Sequence, residues 1–146
     1  MWKFLLGLGI GIVLGAAGAV ALILVVVVAP RVRAANEEAR TSSVISTLQT
    51  CRSEIELFKI QHAGRPPAEP GLWAVLTGKS NVGDVAVPNS RGEFGPYVLH
   101  EPVNPMNGQS AVGPRPSPGV GWVYRVAGES YTLQAVNERG DGLLPY

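Results

Sequence analysis

The sequence predicts an α+β protein, with one long N-terminal helix packed on a small antiparallel sheet. Three observations carry this reading. From Phe4 to Ala29 there is no charged residue. From Val44 to Phe58 apolar residues recur at helical spacing. Towards the C-terminus two runs of alternating hydrophobicity flank a glycine turn. The 146 residues divide accordingly. Residues 1–30 are the transmembrane half of the long helix and residues 31–63 its amphipathic half, a spine. Residues 64–146 are a loop-rich region ending in the sheet, and they form one globular head with the spine.

The apolar run of 26 residues rises about 39 Å at about 1.5 Å per residue, more than the ~30 Å hydrocarbon core. A helix satisfies its backbone polar groups internally, as lipid requires. The competing reading is a cleaved signal peptide, with Lys3 as its basic start and Ala19-Val20-Ala21 as a small-x-small cleavage site. Cleavage there would leave a strongly apolar new terminus, and signal-peptide apolar cores are shorter, so a retained anchor is the expectation. Gly7, Gly11, Gly15 and Ala19 recur every four residues and form a candidate helix-packing face. The plainer alternative is the ordinary glycine content of membrane helices. Charge leaves orientation open, because Lys3 stands on one side and Arg31 and Arg33 on the other.

Beyond Pro30, Val44, Leu48, Cys51, Ile55 and Phe58 step by four and three, with His62 following. This is the core face of a helix laid against a sheet. Arg40, Ser46, Gln49, Arg52, Glu56 and Lys59 form the solvated side, where Arg52 and Glu56 are spaced to pair. Gly64 ends the helix, and Pro66-Pro67 forbid its resumption. Pro30 is expected to kink it near the lipid surface. Leu72 to Leu76 reads as a short helical turn closed by Gly78, with Trp73 and Leu76 packed beneath. A short strand is expected at Val85–Val87, and residues 100–120 read as an irregular connector. The clearest strands come last. Trp122, Tyr124 and Val126 alternate in one; Tyr131, Leu133 and Ala135 alternate in the other; Ala127-Gly128-Glu129 joins them.

The run from Val25 through Pro67, VVVVAPRVRAANEEARTSSVISTLQTCRSEIELFKIQHAGRPP, resembles the N-terminal helix of type IV pilin-like proteins. It is most similar to the major G-type pseudopilin of type II secretion. GPYVLHEPVNPMNG at 95–108 and GWVY at 121–124 resemble that family's loop and C-terminal sheet. The resemblance implies a structural subunit, not an enzyme. It would be anchored in the bacterial inner membrane with its head outside the cytoplasm. Its partners would be the lipid bilayer, itself or other pilin-like subunits, and secretion-system membrane proteins. One departure bears on assembly. The family's precursors carry a Gly before the processing cut and a Glu soon after it; here Leu8 and Val13 stand at those places, with Gly9 at the mature start. No acidic residue precedes Glu37. A non-filamentous, membrane-anchored binding or adaptor module is therefore the alternative.

Little in the sequence points to chemistry. Cys51, the one cysteine, lies on the apolar stripe and reads as a buried inert thiol. His62 ends the spine, where it can meet the last carbonyls, and neither it nor His100 belongs to a recognisable catalytic constellation. The family's calcium site needs several carboxylates, but the NERGDGLLPY segment offers only Glu138 and Asp141 with the Asn137 amide. A solvated turn is the reading there, so neither a metal nor another cofactor is expected. The formal net charge of +1, with no clustered basic face, gives no reason to expect a nucleic-acid partner.

Overall fold

The computed structural model describes residues 29–86 and 88–146. The packing face at Gly7, Gly11, Gly15 and Ala19, the Leu8–Gly9 and Val13 positions, and all but the last residue of the apolar run lie outside them. Among the described residues no helix is long and apolar enough to cross a membrane. The fold is α+β. Its element order is α1 (Ala29–Gln61), α2 (Leu72–Thr77), β1 (Val112–Gly113), β2 (Trp122–Ala127) and β3 (Ser130–Ala135). Arg40–Tyr146 form a compact unit that holds the core.

In α1, Val44, Leu48, Cys51, Ile55 and Phe58 are all buried. They share one cluster with Leu72, Trp73, Val75 and Leu76 of α2 and with Trp122, Tyr124, Leu133 and Ala135 of the sheet. The 3.6-residue period brings each apolar position to the same side, and burying each large aliphatic there is worth roughly 1.5–3 kcal/mol. Lys59 in the last turn complements the negative end of the helix dipole. The helix stops in a Schellman-type turn, in which the Gly64 N–H donates to the Lys59 carbonyl at 2.8 Å. The left-handed position just after the helix falls on Ala63 (φ 56°), with Gly64 (φ 79°) behind it. The glycine alone was expected to end the helix. Arg52 and Glu56 do not pair; Glu56 instead meets Lys59 at 3.4 Å, because Arg52 turns towards the sheet.

The sheet has three strands in the order β1-β2-β3 and is mixed. The β2–β3 hairpin is antiparallel, in the register Trp122↔Ala135 through Ala127↔Ser130. Gly128 supplies the positive φ of its two-residue turn. The expectation of a purely antiparallel sheet needs correcting, since β1 pairs with β2 in parallel, Val112↔Trp122 and Gly113↔Val123. A parallel neighbour normally needs a long crossover. Here only two residues pair, so a short Pro-rich loop suffices to bring the chain back. The connector at 100–120 therefore contributes a strand.

Val85 and Ala86 form no strand, contrary to expectation. Val85 packs partly buried on the core, and its carbonyl accepts from the Ala68 N–H at 2.6 Å. The pairing in this region is the isolated bridge Ser80↔Phe94. It depends on Gly92, where an added Cβ would lie 2.3 Å from the Ser80 backbone nitrogen.

Candidate functional site

The segment Tyr97–Gln109 is held against the head at several points, and each hold has a local cause. At its start the Tyr97 and Val98 N–H groups both donate to the Leu76 carbonyl, an orphan at the end of α2. The Tyr97 hydroxyl donates to Gln61 Oε1 at 2.6 Å. Its ring meets Phe58 edge-on at 5.3 Å, beside the stacked Phe58–His62 pair at 3.6 Å. The indole N–H of Trp122 donates to the Pro102 carbonyl at 2.8 Å, and that of Trp73 to the Ser110 carbonyl at 2.7 Å.

Asn104 is the central fastening. It is fully buried. Its amide donates to the carbonyls of Gly121 and Val136, both at 2.8 Å, and its oxygen accepts from the Met106 N–H. Every polar atom of the side chain is thus used, which is the condition for burying it at low cost. Asn107 repeats the device nearer the surface, donating to the Val120 carbonyl at 2.9 Å. Gly121 allows the approach: a Cβ there would lie 2.0 Å from the Gln109 carbonyl oxygen.

What this segment presents outward is apolar. Leu99 is 89% exposed and Val103 55%. Between it and α1 lies a groove of about 440 Å³, lined by Ser46, Thr47, Thr50 and Cys51 on the helix and by Tyr97–His100, Pro102 and Val103 on the loop. Burial pushes the Cys51 thiol up to about 11, so it stays protonated at neutral pH and is a poor nucleophile. His62 is buried, with Nδ1 against the Phe58 carbonyl at 2.7 Å, and His100 is exposed on the loop. The histidines therefore stand in different surroundings and form no pair with Cys51. His62 Nε2 and Ser80 Oγ are buried without a protein partner.

At the C-terminal turn the Asp141 carboxylate accepts from the Asn137 amide at 2.8 Å, and the Asn137 N–H donates to the Gly142 carbonyl at 2.9 Å. The turn is closed by its own hydrogen bonds. Among the described residues no group of three His, Cys, Asp or Glu side chains is placed to hold a metal ion.

Of the residues singled out in the sequence, the spine stripe lies in the core, where it supports the groove from beneath. Sequence reasoning missed the roles of Asn104, Asn107 and Arg52. The Pro-Val-Asn-Pro spelling at 102–105 was the available signal, because an asparagine between prolines commonly bonds to backbone in a turn. The chain matches no family model, and neither the curated proteins nor the solved structures contain a match to it.

Proposed function

We propose that this protein is a membrane-anchored structural subunit of a type II secretion or type IV pilus-like system, pseudopilin-like, with its head on the outer side of the bacterial inner membrane. It acts by packing its N-terminal helix against neighbouring helices and presenting a small folded head; no bond is made or broken. The observation that supports this reading is the burial of the Val44–Phe58 stripe of α1 in the core of the head, in a chain whose sequence carries the uncharged run Phe4–Ala29 ahead of that stripe. A head whose core helix follows an apolar segment in sequence suits a subunit whose contacts are made in and beside the membrane. The family resemblance rests on the residues quoted above, since no relative adds to it.

Val13 at the family's Glu position favours a second reading, an anchored adaptor that does not polymerise. In both readings the anchor is retained and cleavage between Leu8 and Gly9 does not occur. Alkaline extraction of membranes tests the shared part. The protein is expected in the pellet, and recovery in the supernatant as a product starting near Leu22 contradicts both.

A further inference from the structure

We propose that Asn107-Gly108 is a self-modification site: Asn107 converts to aspartate and isoaspartate when the 97–109 loop opens, and the product holds the loop open. This concerns the loop's own chemistry and does not depend on how the protein assembles.

Asn107 stands in the chain's one Asn-Gly pair. Asparagine is thermolabile, and a following glycine, having no side chain, leaves its nitrogen the freest approach to the asparagine amide carbon. In the reaction the Gly108 nitrogen loses its proton to base and bonds to Asn107 Cγ. The Cγ–Nδ2 bond breaks, and Nδ2 leaves as ammonia with a proton taken from water. Water then opens the five-membered imide at either carbonyl, giving aspartate or isoaspartate. Water is the one co-reactant, and nothing is oxidised or reduced. Gly108 is exposed and Asn107 half-buried, so water reaches the site. The turn itself calls for the glycine, whose φ is 70°.

The closed loop holds both reacting groups apart. The Gly108 N–H donates to the Asn104 carbonyl at 2.8 Å, which resists loss of its proton. The Asn107 amide donates to the carbonyls of Val120 at 2.9 Å and Asn137 at 3.3 Å. Its Oδ1 accepts from the Gln109 N–H at 3.1 Å. The side chain is thus fastened at both ends and is not free to turn onto the Gly108 nitrogen. Reaction needs these bonds to part. No helix or strand lies between Tyr97 and Gln109, and such segments open locally at less cost than the whole fold.

The product opposes closure. A carboxylate has no N–H for the Val120 and Asn137 carbonyls and sets negative charge against them. Isoaspartate also adds a methylene to the backbone and displaces Gln109. That residue has little room to move: its carbonyl accepts from the Asn104 N–H at 2.9 Å and lies against Gly121, where even a Cβ would be 2.0 Å from it. The change at Asn107 therefore loosens the buried fastening at Asn104.

The test incubates the full chain in mild detergent at mildly alkaline pH, beside a free peptide of residues 105–110. Peptide mapping by mass spectrometry follows conversion at Asn107. The native chain should convert at least about tenfold more slowly than the peptide. Its rate should rise several-fold in urea too dilute to unfold the head, and in Asn104→Ala. Urea on the wild type keeps the test decisive if that variant does not fold. Thermolysin, which cuts before large aliphatic residues such as the exposed Leu99 and Val103, should cleave the converted protein and Asn107→Asp faster than the unconverted chain. The proposal is overturned if the native chain converts as fast as the peptide, if conversion begins only with global unfolding, or if thermolysin cuts converted and unconverted protein alike.

Discussion

The side-chain amide of Asn104 donates to the carbonyl of Val136 at 2.8 Å, joining the 97–109 loop to the end of the sheet across 32 residues of sequence. The neighbouring bond to Gly121 fixes the same loop to the start of β2. Asn104→Ala removes both donors and strands the Val136 carbonyl and the Met106 N–H, while the Gly121 carbonyl keeps the Val136 N–H as its donor, at an expected cost of about 2–4 kcal/mol. Asn104→Asp should cost more at neutral pH, since a carboxylate would face two carbonyl oxygens. Urea unfolding of the two variants measures both. Equal stability of Asn104→Ala and wild type would mean that the loop is held elsewhere.

The spine stripe predicts a contrast within one helix. Ile55 is fully buried and Ile60 is 78% exposed. Ile55→Ala should cost about 2–5 kcal/mol, whereas Ile60→Ala should stay within about 0.5 kcal/mol of wild type. Denaturant midpoints of the two variants decide it, and similar losses at both sites would contradict the placement of the core.

The stripe could be read from sequence because its spacing is local and its chemistry uniform: Val44, Leu48, Cys51, Ile55 and Phe58 need only a helix to align them. The β2–β3 hairpin was readable for the same reason, since Gly128 and the alternating runs on either side specify it. β1 was not, because Val112 and Gly113 pair only through a partner strand that the local pattern does not announce. The candidate groove was hidden more deeply. Its shape depends on Asn104 reaching Gly121 and Val136, and on the gap at Gly121 that admits Gln109. Arg52 looked like a surface partner for Glu56 because helical spacing allows that pair, yet a carbonyl 81 residues away competes for it.

Ala63 holds the left-handed position after α1, at φ 56°. That conformation costs a residue with a Cβ about 1–2 kcal/mol, and glycine returns about 0.5–1 kcal/mol of it as backbone entropy. Ala63→Gly should therefore stabilise the head by roughly 0.5–1 kcal/mol, read as a rise in melting temperature. A fall would show that the methyl group makes a contact worth more than the strain.

Burial raises the Cys51 thiol from 9.0 to about 11. The folded state thus prefers the protonated thiol, and its contribution is complete below pH 9 and lost as pH rises towards 11. Stability should fall over that window by up to about 1.4 kcal/mol per pH unit from this group. Burial also raises Tyr124 and Tyr131, the latter to about 12, so the tyrosines add to the loss only above about pH 10. Cys51→Ala should flatten the stability profile between pH 9 and 10. A wild-type profile level across that interval would contradict the buried thiol.

The central claim, assembly through the membrane half of the long helix, meets its most direct test in crosslinking within intact membranes. Gly11 lies in the middle of the Gly7–Gly11–Gly15 face and Val13 off it. Helices in lipid associate through close packing at small residues, so enlarging Gly11 should force them apart. Gly11→Leu is expected to lose the crosslinked oligomers and Val13→Leu to keep them at wild-type yield. Oligomers of equal yield in both variants, or none in the wild type, would contradict assembly through this face and leave an anchored monomer.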